Sequence, residues 1–382
     1  MVARALAGRL LAALAVAFAL PGAAAGLPDR EVFVDPEDGR FDASRWLLER
    51  KGFLPVPIVI TEPALGYGAG LGALFFEGSL AGSGARDGKL VPLDITGVAG
   101  MGTENGSRGG AAFHLGYDDG RRWRYLAAAA GATLNLAWYG AAGTGGERAA
   151  GVDFNLESKI AIGDLRRRIG DSEWWVGLRY VGMDAKSRFA LDTPGDVSAR
   201  QLATALSGLG VVVEYDGRDN IFTPSTGSRL HLDALRFDDA IGSDQDFSRT
   251  RLAWNSFHAL GRSVVLGVRA EMQAADGDVP FYAQPFIELR GVPALRYQGD
   301  RVALLELEGR WNLDGRWSAV AFAGAGRAAA DTGGLGSAPT RTTFGVGFRY
   351  FLARALGLHA GLDVARGPED TAIYLIAGSA WR

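Results

Sequence analysis

The chain offers few carriers for catalytic chemistry. It holds four histidines, His114, His231, His258 and His359, and no cysteine, so thiolate chemistry and a disulfide framework are both excluded. His231 and Asp233 lie two residues apart, as do His359 and Gly361, and each pair would share one face of a strand. A His–Asp pair can be the orienting half of a nucleophilic site. No G-x-S-x-G or H-E-x-x-H pattern accompanies it, and no ligand cluster suited to a metal is evident. A wall hydrogen bond is the simpler reading. Gly66, Gly68, Gly70 and Gly72 could suggest a phosphate loop, but their period of two belongs to a strand and does not match G-x-G-x-x-G. The expectation is a protein with no catalytic residues, no metal and no cofactor.

The charged residues that could do something else stand in strict alternation. From Ser263 one parity reads Ser263, Val265, Gly267, Arg269, Glu271, Gln273, and the other Val264, Leu266, Val268, Ala270, Met272, Ala274. Further on, Leu305, Leu307, Gly309, Trp311 and Leu313 alternate with Glu306, Glu308, Arg310 and Asn312. Such strands suit a wall between lipid and a wet lumen. In 151–163 the same rule assigns Val152, Phe154, Leu156, Ser158, Ile160 and Ile162 to lipid, and Asp153, Asn155, Glu157 and Lys159 to the lumen. The fold class expected is all-β, a transmembrane antiparallel β-barrel. Its sixteen strands lie near 53–61, 65–76, 90–101, 110–117, 124–138, 151–163, 174–186, 203–215, 228–238, 247–260, 263–275, 301–313, 316–325, 342–352, 356–365 and 371–381. The two prolines of the first segment leave fourteen strands, or another pairing at the start, as an alternative. Short links at 118–122, 261–262, 314–315 and 353–355 alternate with long ones at 140–149, 187–202, 276–300 and 327–341, the asymmetry of periplasmic turns and external loops.

The start of the chain indicates the compartment. Arg4 and Arg9 precede the apolar run 10–20, then Pro21, Gly22 and Ala23 to Ala25, which reads as a secretory signal peptide over 1–25. No other stretch reaches the ~20 apolar residues of a membrane helix, yet 48% of residues are hydrophobic and 55 are glycine. Residues 26–52 form an N-terminal tail, acidic at first, in which Asp42 or Ser44 could cap a short helix through Lys51. Residues 53–382 form the barrel. A net charge of −3 argues against nucleic acid as a partner.

Three places resemble the C-terminal barrel of the BamA/TamA-type assembly-factor superfamily, the bacterial surface antigen barrels. YDGRDNIFTPSTGSRLHL at 215–232 is similar to the family's D-x-R-D-N-x-x-x-P-x-x-G turn, through Asp216, Arg218, Asp219, Asn220, Pro224 and Gly227. LRGV at 289–292 is similar to its V/I-R-G-F/Y loop motif, with Arg290 and Gly291. The ending YLIAGSAWR is similar to its C-terminal assembly signal, with Gly378 and Trp381. The resemblance implies that Arg290 folds into the lumen and pairs with an acidic residue of the wall. Glu308 is the first candidate and Glu306 the second. It also implies that Trp381 helps the last strand to be recognised and to close the barrel. The chain departs from the pattern at Val292, where the family has an aromatic, and at Gly324, where it has an acid on the following strand. Arg382 also follows the terminal aromatic. With no room for POTRA domains ahead of the barrel, the resemblance is to the stand-alone members.

Three functional readings stay open. The first is an outer-membrane barrel acting in protein insertion, translocation or membrane remodelling. The second is a passive or loop-gated channel, and the third an outer-membrane enzyme. The partners expected are outer-membrane lipid and lipopolysaccharide, the barrel assembly machinery during biogenesis, and an unfolded client protein.

Overall fold

The computed structural model describes residues 30–49, 51–79, 94–140, 151–189 and 201–381. The signal peptide expected over 1–25 and parts of the loops at 140–149 and 187–202 lie outside these. Sixteen strands form one sheet in chain order. They are β1 (Lys51–Ile60), β2 (Gly68–Ser79), β3 (Ile95–Thr103), β4 (Arg108–Tyr117), β5 (Trp123–Trp138), β6 (Val152–Arg168), β7 (Trp174–Phe189) and β8 (Gln201–Asp216), then β9 (Gly227–Phe237), β10 (Phe247–Leu260), β11 (Val264–Gly277), β12 (Arg301–Asn312), β13 (Trp317–Ala329), β14 (Arg341–Ala353), β15 (Leu358–Arg366) and β16 (Thr371–Ala377). Every neighbouring pair is antiparallel, and the proline-bearing β1 pairs with β2 from Lys51 to Ile60. The sheet is a nearly closed barrel. Among the described residues its order runs from β1 to β16 with no β1–β16 ladder.

Short turns after β4, β6, β10, β12 and β14 gather at one end, the turn end. The long connections after β11 and β13 gather at the other, the loop end. The turn after β8 is longer than its neighbours and carries the 216–227 motif.

Around the turn-end half the outer surface is greasy. Trp174, Val176, Leu178 and Tyr180 of β7 and Leu209 and Val211 of β8 are all exposed. This is the lipid-facing belt of a membrane barrel. Opposite them, on the inner side, stand Asp164, Arg166, Arg179 and Glu214, all buried.

The expected faces of 151–163 are inverted. The even-numbered side chains of β6 point inward: Phe154, Leu156 and Ser158 are buried, on the same parity as Asp164 and Arg166. Asp153, Asn155, Glu157 and Lys159 point outward, and Glu157 pairs with the exposed Arg188 at 3.1 Å. The reason is length. A membrane strand needs ~9–11 residues, whereas β6 has 17. Its loop-end part therefore stands above the bilayer, with water outside and an apolar interior. That interior is filled by the β11–β12 loop, whose Phe281, Tyr282, Phe286 and Leu295 pack with Phe154, Leu156, Leu206 and Phe237. The same parity thus faces a charged lumen at one height and an apolar plug at another.

Of the tail expected over 26–52, residues 30–49 are described, and 51–52 belong to β1. A 3-10 turn at Arg30–Phe33 precedes α1 (Ser44–Glu49), which is shorter than the helix expected through Lys51. The Asp42 carboxylate accepts the Ser44 N–H at 2.7 Å, so Asp42 supplies the start signal. The segment lies against the turn end. Arg316, in the β12–β13 turn, binds Asp35, Asp38 and Asp42 together.

Two predictions follow from this architecture. Leu156→Ala should cost about 2–5 kcal/mol in urea unfolding of the detergent-solubilised barrel, while Glu157→Ala should change it by at most about 1 kcal/mol, as for an exposed pair. The reverse order would restore the original face assignment. The second concerns acid. The Arg316 hydrogen bond holds the Asp38 carboxyl down to about 2. Asp35 is lowered too, first by the Glu37 N–H. Burial would raise Asp42, but bonds from Ser44 and Arg316 outweigh it. Depressed carboxylates contribute stability above their unfolded pKa of ~3.9 and lose it as pH falls through the folded value. A nitroxide on Glu49→Cys should therefore gain mobility between about pH 4 and about pH 2, and one on the lipid-facing Leu178→Cys should not.

Candidate functional site

Residue type and strand parity place the site. Arg269, Glu271, Glu306 and Glu308 face inward on β11 and β12, as their alternation requires. Arg290 descends into the lumen from the β11–β12 loop. It is buried, and its Nε donates to Glu306 Oε1 at 2.7 Å. Its Nη1 donates to Asp363 Oδ2 at 2.8 Å. Glu308 Oε2 lies 2.7 Å from the same nitrogen as an ion pair, off the axis of a hydrogen bond. The guanidinium sits 3.5 Å over the Phe322 ring. Glu306 is thus the best-aligned partner, ahead of Glu308.

Asp363 was not foreseen as a partner. It lies on β15, away from the strand where the resemblance puts an acid. At that place Gly324 leaves room for the loop: a Cβ there would come within 2.9 Å of Leu289 Cδ2. Asp363 is fully buried and also holds Arg349. In this chain an acid that binds Arg290 stands on β15, and Leu289 of the loop lies against Gly324. The only sequence signal was the inward parity of Asp363. Sequence alone could not tell that β15 curves round to face the loop.

The rest of the motif is turned by local chemistry. Gly291 has φ +89 and its Cα lies against Gly367, so that a Cβ would meet the Gly367 nitrogen at 2.8 Å. Its N–H donates to the Tyr374 hydroxyl of β16 at 2.9 Å. Val292 stands where the resemblance expects an aromatic, and is buried with Ile287, Leu289, Val302 and Leu304.

The C-terminal residues differ from expectation. β16 ends at Ala377 and does not run to 381. Gly378 turns with φ +77, and Trp381 enters the lumen, where its indole N–H donates to Glu306 Oε2 at 2.9 Å. Its ring packs against Phe257 and Val265. Gly267 makes the space, since a Cβ there would meet the ring at 2.6 Å. Trp381 therefore takes no part in the ladder, and one carboxylate, Glu306, joins loop and C-terminus.

The 216–227 motif crosses the turn end. Asp216 pairs with Arg218 at 2.7 Å, and the Asp219 carboxylate accepts the Ser225 N–H at 3.0 Å. Asn220 accepts the Phe222 and Thr223 N–H groups and donates to Leu356 O at 2.9 Å. Pro224 O and Ser225 Oγ accept from Arg310 of β12. Gly227, at φ +93, starts β9. The motif reads as a turn in sequence. In space it reaches the opposite wall, where Phe222 O accepts the Ser379 N–H at 2.6 Å.

Most charges along the lumen are paired, although Arg249 Nε and Arg310 Nε are buried without a hydrogen bond. Arg251 and Arg269 hold Glu271. Nearer the turn end, Arg166 bridges Asp164 and Glu214, and Arg179 bridges Asp164 and Asp233. His231 belongs to this lattice: its Nδ1 is 3.2 Å from Glu214 and its Nε2 3.9 Å from Asp233. The carboxylate and imidazole that share a face are members of an ion network.

This arrangement of wall, loop and tail can be set beside solved structures. BamA from Haemophilus ducreyi lacking POTRA domains 1–3 superposes with a TM-score of 0.59 at 12% identity, covering 86% of this chain and 70% of that one. The fold is that of the BamA and CdiB barrels. CdiB from Acinetobacter baumannii gives a TM-score of 0.54 at 13% identity, over 85% of this chain and 59% of that one. CdiB from Escherichia coli gives 0.58 at 12%, over 86% and 62%. The chain thus spans less than two thirds of either CdiB. No protein-family model and no curated protein matches the sequence.

Removing one partner of a buried pair strands the other. Arg290→Ala should lower the stability of the β11–β12 loop by about 3–5 kcal/mol, read as faster proteolysis within 278–300. Glu306→Ala should do the same and the double variant should be no worse than either. Simple addition of the two effects would show that they do not act together.

Proposed function

We propose that this protein is an outer-membrane barrel, related to the barrel assembly and translocation factors, that assists other chains in entering or crossing the membrane. The observation that carries the reading is the seam. In a bilayer an unpaired strand edge has no water to satisfy its N–H and C=O groups. A barrel built only for passage of solutes has every reason to zip β1 to β16. Here the described sheet order has no such ladder. A seam without a ladder is a place where another strand can pair with the edge of β1 or β16.

The lumen supports the same choice. The Arg290 loop fills it from the loop end, and the 216–227 turn and Trp381 cross the turn end. A passive channel needs a continuous wet path, and wall charges of both signs, most of them paired with each other, favour no particular ion. With short turns toward the periplasm, the greasy belt would meet outer-membrane lipid and lipopolysaccharide, and the client would be an unfolded chain with strand-forming edges.

Purified protein in liposomes distinguishes the readings. The expected outcome is faster insertion of a second, urea-unfolded barrel protein than in empty liposomes, with little steady conductance in planar bilayers. Steady single-channel conductance without any gain in insertion would overturn the proposal in favour of the channel.

A further inference from the structure

The Arg316 side chain is fully buried although it stands in a turn at the end of the barrel. A guanidinium has five N–H donors, and all five are used. Nε donates to Asp38 Oδ2 at 2.7 Å. Nη1 donates to Asp42 Oδ2 at 2.7 Å and to Phe351 O at 3.1 Å. Nη2 donates to Asp35 and to Asp38 Oδ1. The three carboxylates come from one short stretch. Each also accepts a backbone N–H from its own neighbourhood: Glu37 to Asp35, Arg40 to Asp38, Ser44 to Asp42. The stretch is therefore wound into a cup before it meets the arginine.

Further bonds tie the same stretch to the turns on either side of β13 and β14. Arg354 pairs with Asp35 and Glu37, and Arg40 with Asp314 at 3.0 Å. The Ala43 N–H donates to Leu352 O at 2.8 Å, and the Tyr350 hydroxyl to Phe41 O at 2.7 Å. From this anchorage the chain passes through α1 straight into β1. It therefore bridges the break in the sheet, fixed by ions to the β12–β15 side and covalently continuous with the β1 side. Leu47 of α1 lies in one apolar cluster with Leu54 and Val56 of β1, Leu352 and Leu356 beside the β14–β15 turn, and Ala377 of β16. At the loop end the β11–β12 loop bridges the same break, through Gly291 to Tyr374 of β16 and Ala294 N–H to Glu62, ahead of β2, at 3.2 Å.

We propose that residues 30–49 are a strap that holds the β1–β16 seam shut at the turn end, with Arg316 as its fastening, and that the seam parts there only when the strap lets go. The claim rests on the insertion reading for its purpose and on the bonds above for its mechanism. An ionic fastening suits a strap that must release. It is strong while every partner is in place and weak once one is removed, whereas an apolar patch would loosen gradually with area lost.

The absence of native cysteine makes pairs of nitroxide labels unambiguous. In the full chain in liposomes, one pair at Phe53→Cys and Leu375→Cys reports the turn-end half of the seam, and one at Val59→Cys and Ile373→Cys the loop-end half. Two fastening variants are compared, Arg316→Met and, should that fail to fold, Asp38→Asn with Asp42→Asn. Each is expected to speed trypsin cleavage after Arg45, to shift the turn-end pair to longer distances, and to leave the loop-end pair in place. A turn-end distance that stays put while Arg45 becomes cleavable overturns the strap. A strap that stays protected in both variants overturns the role of Arg316. The two proposals part company in the insertion assay. Variants that open the seam yet insert no client sink the insertion reading and keep the strap. Faster insertion by the unaltered chain, with a seam indifferent to the strap, does the opposite.

Discussion

A sheet in a bilayer must satisfy its backbone from within, because lipid offers neither donors nor acceptors. Among the described residues the sheet order runs from β1 to β16 without a β1–β16 ladder, and the loop and tail contacts gather on either side of that seam. Fifteen antiparallel pairings join β1 to β16 in chain order, and side chains and loops link the two outer strands. The β11–β12 loop spans the gap at one end and residues 30–49 span it at the other. Both depend on a buried arginine surrounded by carboxylates.

Arg290 and Arg316 solve the same electrostatic problem in different ways. A buried guanidinium is tolerated only when its donors are taken up by well-placed acceptors. Arg316 fills all five donors and stands in the turn beyond the wall. Arg290 keeps Nη2 without a hydrogen bond, and the Phe322 ring covers its face. Its acids come from β12 and β15, so it pins the loop to two separate parts of the wall. Glu306 adds a third element, since its second oxygen accepts the Trp381 indole. The loop and the C-terminal residues thus meet at one carboxylate.

Height above the membrane organises the remaining chemistry. In the lower half of β6 and β7 the interior is ionic and the exterior apolar. In the upper half the interior is apolar and the exterior ionic. The change occurs along single strands without any break in their twofold alternation. The interior there is filled by Phe281, Tyr282, Phe286 and Leu295, so the loop that enters the lumen also supplies the core of the overhanging part.

Strand number, strand order and the two kinds of connection were legible in the sequence, because a period of two and the turn residues between segments are local properties. Parity was legible too: it put Glu306 and Glu308 on the lumen face, where the resemblance called for the acidic partner of Arg290. Which parity faces lipid was not legible for 151–163, because alternation defines two faces and only the surroundings decide which is inside. The ending of β16 at Ala377 and the entry of Trp381 into the lumen depend on Gly267, more than a hundred residues away, leaving a space. Asp363 in place of an acid at Gly324, and the three aspartates around Arg316, are likewise meetings of residues distant in the chain. The sequence by itself determined the alternating wall and the residues able to bind one another. Only the closing of that wall into a ring decided which of them meet, since curvature, strand height and the route of each loop are set by all the strands together.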